Sequence, residues 1–364
     1  MRESRRRNGR NRAIVLLGAG LAAAWLAAGA AIPGQSGRIP ENPLGRQMGF
    51  SAADLLSAQS GAAVIKSLAT PVRQELAYVG MVYIDVPTAG FIDRFRDIER
   101  FERGPGTPLI GRFSDPPQLD DLAALRLPPA DIAALPKCRP GHCDVKLSAA
   151  AMGRFRNDVD WSSATAAAQA DQVARHMILD LVRAYQAGGN AALGYYDDGD
   201  NPLSVAEHLG ALLASDDPLP APIPALVDYL GTYPEGRPGA AEDFFYWTLV
   251  DFGLKPTVRV NHVTIYPLER DGASPVAYAI AIKQLYASHY FHTTLELRFL
   301  VEEERRSGWW DTSLISITRS RSDGMTGFKG LFLRPIISRR SRDAVRAYLD
   351  HLKQQVERPV APDP

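Results

Sequence analysis

TVRVNHVTIY at 257–266, VAYAIAIKQLYA at 276–287 and YFHTTLELRFLVE at 290–302 are strand-length runs in close succession, rich in β-branched and aromatic residues. A fourth, TSLISITRSR at 312–321, follows them. Such side chains fit a pleated, half-buried surface. The joints are polar or Gly-containing, as in Glu269 to Gly272 and Arg306 to Gly308, so the four runs read as an antiparallel meander.

On the C-terminal side, Pro335 suits a helix start, and Ile337, Val345, Leu349, Leu352 and Val356 keep near-helical spacing. A long amphipathic closing helix is expected. On the N-terminal side, AYVGMVYIDV at 77–86 reads as a strand stopped by Pro87, and Phe91, Ile92, Phe95 and Ile98 place a helix directly after it. Residues 104–143 are dense in Pro and Gly and read as irregular, with helical turns near 119–125 and 130–135; 144–147 reads as a short strand.

The middle reads as helical over about 148–253. Ser163 caps a helix to about Ala187 with Val173, Met177, Leu181 and Tyr185 on one face and Gly188 as its stop. Further helices are expected over 204–213, 225–230 and 239–252, the last holding Trp247. The fold class is therefore α+β: an antiparallel sheet with a long C-terminal helix and a large helical insertion, in one domain spanning 51–357. Residues 31–50 read as a flexible linker and 358–364 as a disordered tail.

Two stretches carry a family resemblance. Val82 to Pro87 with the helix from Phe91 to Phe101 is similar to the opening strand, proline and short helix of START-like helix-grip proteins, the polyketide cyclase and lipid-transfer superfamily. Ser313 to Arg319, Gly324 to Gly330 and Arg334 to Val356 resemble that superfamily's last strand, glycine-rich step and final helix. The resemblance covers roughly a third of the chain after residue 30. It implies a curved sheet gripping the last helix around an apolar tunnel for a sterol, acyl chain or polyketide. A half-barrel too wide to fill with side chains leaves such a space on physical grounds alone. The chain also resembles an exported bacterial family to which no activity is attached.

The 364 residues are 46% hydrophobic and 23% charged, which excludes disordered and fibrous classes. Lys plus Arg and Asp plus Glu both number 41, but residues 1–30 hold six Arg and one Glu, so the remainder carries 35 basic against 40 acidic residues, a net −5. That balance argues against nucleic acid as a partner. The six arginines precede an apolar run over 13–32, the order of an export signal. Cleavage after Ala30 or Ala31 frees the protein; retained, the run is just long enough to anchor it. Either way the globular part is expected outside the cytoplasm, periplasmic or on the outer side of the inner membrane.

In that compartment Cys138 and Cys143, which enclose a Pro-Gly turn, read as a disulfide. The alternative, a metal or redox site with His142, lacks the usual spacing. Neither a metal nor a cofactor is expected.

The densest chemical run is 283–294. Two strands meeting near Ser288 would set His289 and His292 on opposite faces. One His with Tyr286 or Tyr290, and with Trp247 nearby, is the candidate polar anchor for an apolar ligand. The enzymatic alternative uses the same His pair with an acid from the middle helices. Metal binding would need a third ligand such as His262 or Glu296. Glu242 and Asp243 read as acids at a helix N-terminus, and Asp197 to Asn201 as a solvated turn lacking the distal Glu of a calcium loop. Serine-hydrolase, P-loop and zincin signatures are absent.

From Arg319 to Lys353 nine basic residues face three acidic ones. Phe328, Leu331 and Phe332 with Arg334, Arg339 and Arg340 are candidates for contact with an anionic membrane surface. The leading expectation is an exported protein that binds or carries a lipid or other apolar small molecule. An interaction module without a cavity is the third reading.

Overall fold

The structure, a computed structural model, describes residues 42–214, 223–251, 253–268, 276–304, 310–322 and 327–358, with the backbone alone for 303–304, 310–311 and 327–337. The expected signal, the chain before residue 42 and the tail after 358 lie outside the described residues. Asn42 is fully buried, accepting from the Gly45 amide at 2.6 Å and donating to Ser313 Oγ at 2.8 Å. It caps α1 (Pro43–Gln47), after which Ser51 and Asp54 form a capping box on α2 (Ala52–Gln59). Leu44 and Phe50 are buried. The linker expected to reach residue 50 thus stops short of it, because these two apolar side chains join a core with Met81 and Leu55.

Strand β1 (Val64–Leu68) pairs antiparallel with β2 (Glu75–Ile84), whose ten residues are all buried because both faces of the sheet are covered. After Pro87 come α3 (Thr88–Arg96), α4 (Ile98–Glu102) and β3 (Leu109–Arg112). Phe91 and Phe95 both meet Phe101 edge-on and seat the two helices on the sheet. The insertion contains α5 (Pro129–Ala134), α6 (Ala149–Asp158), α7 (Ala166–Gly188), the small ribbon β4 (Tyr195–Tyr196) and β5 (Leu203–Ser204), then α8 (Val205–Leu213) and α9 (Pro224–Thr232). The meander is β6 (Glu242–Val250), β7 (Thr257–Pro267), β8 (Val276–Ala287), β9 (Phe291–Glu304) and β10 (Trp310–Ser322), closed by α10 (Gly327–Glu357).

All eight long strands form one antiparallel sheet in the order β1-β2-β10-β9-β8-β7-β6-β3. The early strand β2 therefore lies beside the last strand. Alternation divides the side chains cleanly: Leu314 and Leu300 face α3, α4 and α10, while Ile315, Phe299 and Leu297 face the opposite way toward α1, α2, α8 and α9. Helix α10 crosses β2 at Gly80, where a Cβ would lie 2.5 Å from Leu349 Cδ1. Only glycine lets helix and strand approach so closely.

A third core joins α7, α8 and α9 to β6, β7 and β8, and a fourth packs α6 and the first half of α7 around Cys138. On α7, Val173 and Tyr185 are buried as expected, whereas Met177 and Leu181 are half-buried; Ile178 and Val182 carry the seam instead. The helix ends at Gly189, whose φ of 60° and contact with the Tyr233 carbonyl admit no side chain.

Four elements differ from expectation, the first being β3, a strand paired with β6 inside the stretch that reads as irregular. The helix expected over 239–252 is β6: Phe244 and Tyr246 bury toward α3 and α4, Phe245 and Trp247 toward α7, so burial on both faces erased the alternation that marks a strand. The helical insertion therefore ends before residue 242. The segment 144–147 is not a strand; its backbone bonds go to Ser288 and Asp197. Helix α10 begins at Gly327 rather than Pro335, since one interior proline deletes a single helical bond without stopping the helix.

Candidate functional site

A cavity of about 210 Å³ lies between the insertion and one end of the sheet. Its apolar wall comes from Ala151 and Phe155 of α6, Ile178 and Leu181 of α7, Val258 of β7 and Leu285 of β8. Its polar side holds Asp131, Tyr286 and Ser288. The Cys138–Cys143 disulfide forms as expected, with Cα atoms 4.4 Å apart, and packs in the same core as Leu135 and Val145 of the cavity wall.

The β8–β9 turn is pinned on every side. Val258 donates to Ser288 Oγ at 3.0 Å and accepts from the Ser288 amide at 2.9 Å, while the Lys146 amide donates to the Ser288 carbonyl. Tyr290, at φ 63°, accepts at its hydroxyl from the Lys255 amide. This fixes His289, whose Nε2 lies 2.8 Å from Asp131 Oδ1 with both side chains buried. Asp131 Oδ2 is also buried and has no hydrogen-bond partner among the described residues. Nearby, Lys146 pairs with Asp198 at 3.5 Å and sits over the Tyr196 ring, so those two charges offset each other. Burial, with Tyr196 and Asp131 adding to it, pushes the Tyr286 phenol well up, so it stays neutral.

A second buried polar cluster lies deeper in the same layer. His262 Nε2 is 2.9 Å from Asp243 Oδ1, which also accepts from Thr264, and Tyr229 donates to Oδ2 at 2.7 Å. Tyr185 lies 3.1 Å from His262 Nδ1. Burial, opposed by the bond to Asp243, holds His262 down to about 4, so near neutral pH Nε2–H donates to the carboxylate and Nδ1 accepts from Tyr185. Burial raises the Asp243 carboxyl, but its interactions with His262, Tyr229 and Thr264 together outweigh this and keep it below the usual range. Lys283 reaches the Leu230 carbonyl at 3.1 Å beneath the rings of Tyr185 and Tyr233, and burial lowers it to about 7. The His262 side chain is completely enclosed and stacks on Phe245 at 4.7 Å. This cluster ties α7 and α9 to the sheet.

The space between α10 and the sheet is occupied by Phe91, Phe95 and Phe101 and by buried Arg298, which pairs with Glu296 at 2.7 Å and Glu102 at 3.5 Å and donates to Tyr348. The cavity lies on the other face.

Of the expected anchors, Tyr286 lines the cavity and His289 reaches it through Asp131. His289 stands in the β8–β9 turn rather than on a strand, so alternation does not set its direction; His292, on β9, packs edge-on to His208 of α8 at 4.6 Å. Tyr290 is engaged in the turn, and Trp247 is fully buried, donating to the Asp121 carbonyl. The acid facing His289 comes from α5, outside the expected middle helices. Asp243 stands on a strand facing His262. Arg339 and Arg340 are exposed on α10, whereas the side chains of Phe328, Leu331, Phe332 and Arg334 lie outside the described residues. Asp197 caps α6 by accepting from the Ala149 amide.

Asp131, Lys283, Tyr185 and Tyr229 were not singled out as site residues by the sequence reading. Asp131 follows two prolines and looks like an ordinary first-turn acid; its partner is 158 residues away. Among the described residues no group of three or more His, Cys, Asp or Glu is placed to hold a metal ion, and no helix is long and apolar enough to cross a membrane. Compared with known proteins, the chain matches no family model and no curated protein.

Proposed function

We propose that this is an exported binding protein that holds a small, largely apolar molecule between the helical insertion and the sheet. The observation that carries the reading is the cavity of about 210 Å³, apolar over most of its wall, with Asp131, Tyr286 and Ser288 among its lining residues. Pockets for drug-sized ligands run from about 300 to 1,000 Å³, and a dry cavity of about 150 Å³ accepts benzene. The cargo is accordingly a ring system or short chain rather than a whole lipid. The Cys138–Cys143 disulfide and the arginine-led apolar start support an oxidising, extracytoplasmic location. The pairing of β2 with β10 beneath α10 supports the helix-grip relationship.

Native mass spectrometry of protein purified from its own envelope, followed by organic extraction, tests this. A defined small-molecule mass at near one-to-one occupancy, absent from an Ala151→Trp variant that fills the cavity, is the expected result. An empty protein with no affinity for apolar probes overturns it and turns attention to the interaction-module reading.

A second reading concerns α10, where Arg339, Arg340, Arg342 and Arg346 are all exposed. This basic face suits the surface of an anionic bilayer, where each cation contributes about 1 kcal/mol. Arg339→Glu with Arg340→Glu is expected to weaken sedimentation with phosphatidylglycerol vesicles at least about tenfold. Equal sedimentation of the variant would sink the idea.

A further inference from the structure

Resting on the cavity reading, we infer that the ligand carries a hydrogen-bond donor, an amine or a hydroxyl, which Asp131 Oδ2 accepts. Asp131 lines the cavity with its side chain 3% exposed. Its two oxygens are used unequally: Oδ1 faces His289 Nε2 at 2.8 Å, and Oδ2 has no partner among the described residues. A buried carboxylate oxygen without a donor is costly, and a neutral apolar guest would leave it so. A guest with its own carboxylate would bring like charge against it. Lys146 does not reverse that preference, because Asp198 offsets it. His289 supplies the donor to Oδ1 in either of its charge states, which holds the carboxylate in place and directs the guest's donor to Oδ2.

The rest of the wall sets the body of the ligand. Ala151, Phe155, Ile178 and Leu181 offer no polar group, so one small ring or short alkyl chain lies against the helices with its head toward α5. The chemical class is thus a small aryl or alkyl amine or alcohol.

The test is a matched series on the full chain near neutral pH: benzylamine, benzyl alcohol, ethylbenzene and benzoate, with binding read by ligand-observed NMR and calorimetry. The amine or the alcohol is expected to bind at least about tenfold more tightly than ethylbenzene and benzoate, since a hydrogen bond to a buried charge carries that much discrimination. Amine above alcohol identifies a cationic head, and the reverse a neutral one. Asp131→Asn is expected to bring the preferred donor down to the ethylbenzene level while ethylbenzene itself is unchanged. The comparison among ligands on the unmodified chain stands even if that variant folds poorly. Ethylbenzene or benzoate binding as well as both donors overturns the inference but leaves the cavity reading intact. Failure of the whole series to bind, with Ala151→Trp making no difference, overturns both.

Discussion

Two buried histidine–aspartate pairs sit in this layer at almost the same separation, 2.9 Å for His262 with Asp243 and 2.8 Å for His289 with Asp131. Their surroundings differ. Asp243 accepts from His262, Thr264 and Tyr229 through both oxygens, whereas Asp131, which lines the cavity, has one oxygen with no donor among the described residues. A pair whose acceptors are all used can only hold the fold together. One with an acceptor to spare beside empty apolar space can receive something. The lesson is that the pair alone says little, and the saturation of its acceptors distinguishes a structural tie from a binding group.

Removing the carboxylates separates the two most sharply. Asp243→Ala strands three buried donors, each costing about 1–3 kcal/mol, and is expected to cost at least about 3 kcal/mol in urea unfolding. Asp131→Ala strands only His289 and also removes an unsatisfied oxygen, so a loss of about 2 kcal/mol or less is expected. Equal losses would break the comparison.

Acid is the next lever. His262 titrates at about 4 in the fold because of burial, against about 6.5 in the unfolded chain. Between those values only the unfolded chain takes up the proton, so stability falls as pH drops from about 6.5 to about 4, by up to about 3 kcal/mol. Lys283, lowered by burial to about 7 from 10.5, acts in the same direction higher up: the unfolded chain keeps its proton and stability rises from pH 7 toward 10.5. Unfolding curves across this range should lose the upper rise in Lys283→Met and the lower fall in His262→Gln. A flat profile in the unmodified protein would show that neither group is buried as described.

These pairs also mark how far the sequence can be read. The strands at 257–302 follow from their β-branched and aromatic runs, and the disulfide from a turn between two cysteines five residues apart. β6 escaped because EDFFYWTLV is buried on both faces and shows no period. Asp131 and Lys283 escaped for another reason. Their meaning lies in partners 158 and 53 residues away, and local sequence carries no trace of such pairing.

The disulfide bears on the cavity side alone. Its loop closes only residues 138–143, so replacing both cysteines with serine is expected to cost about 2 kcal/mol. Because Cys138 packs with Leu135 and Val145 of the cavity wall, probe binding should weaken in the same variant while the Lys283 pH dependence persists. Loss of both together would mean that the two sites are not energetically separate.

The finest distinction is between two phenols. The Tyr229 hydroxyl donates to Asp243 at 2.7 Å, a bond to a charged acceptor, so Tyr229→Phe should cost about 1.5 kcal/mol or more. Tyr286 lies on the cavity wall and donates to no described residue, so Tyr286→Phe should stay within about 0.5 kcal/mol of the unmodified protein. If the ligand's head lies near α5, Tyr286→Phe changes probe affinity without changing stability, and Tyr229→Phe does the opposite. That crossed pattern is what the saturation argument requires, because the same lost hydroxyl is felt by the fold at one pair and by the guest at the other.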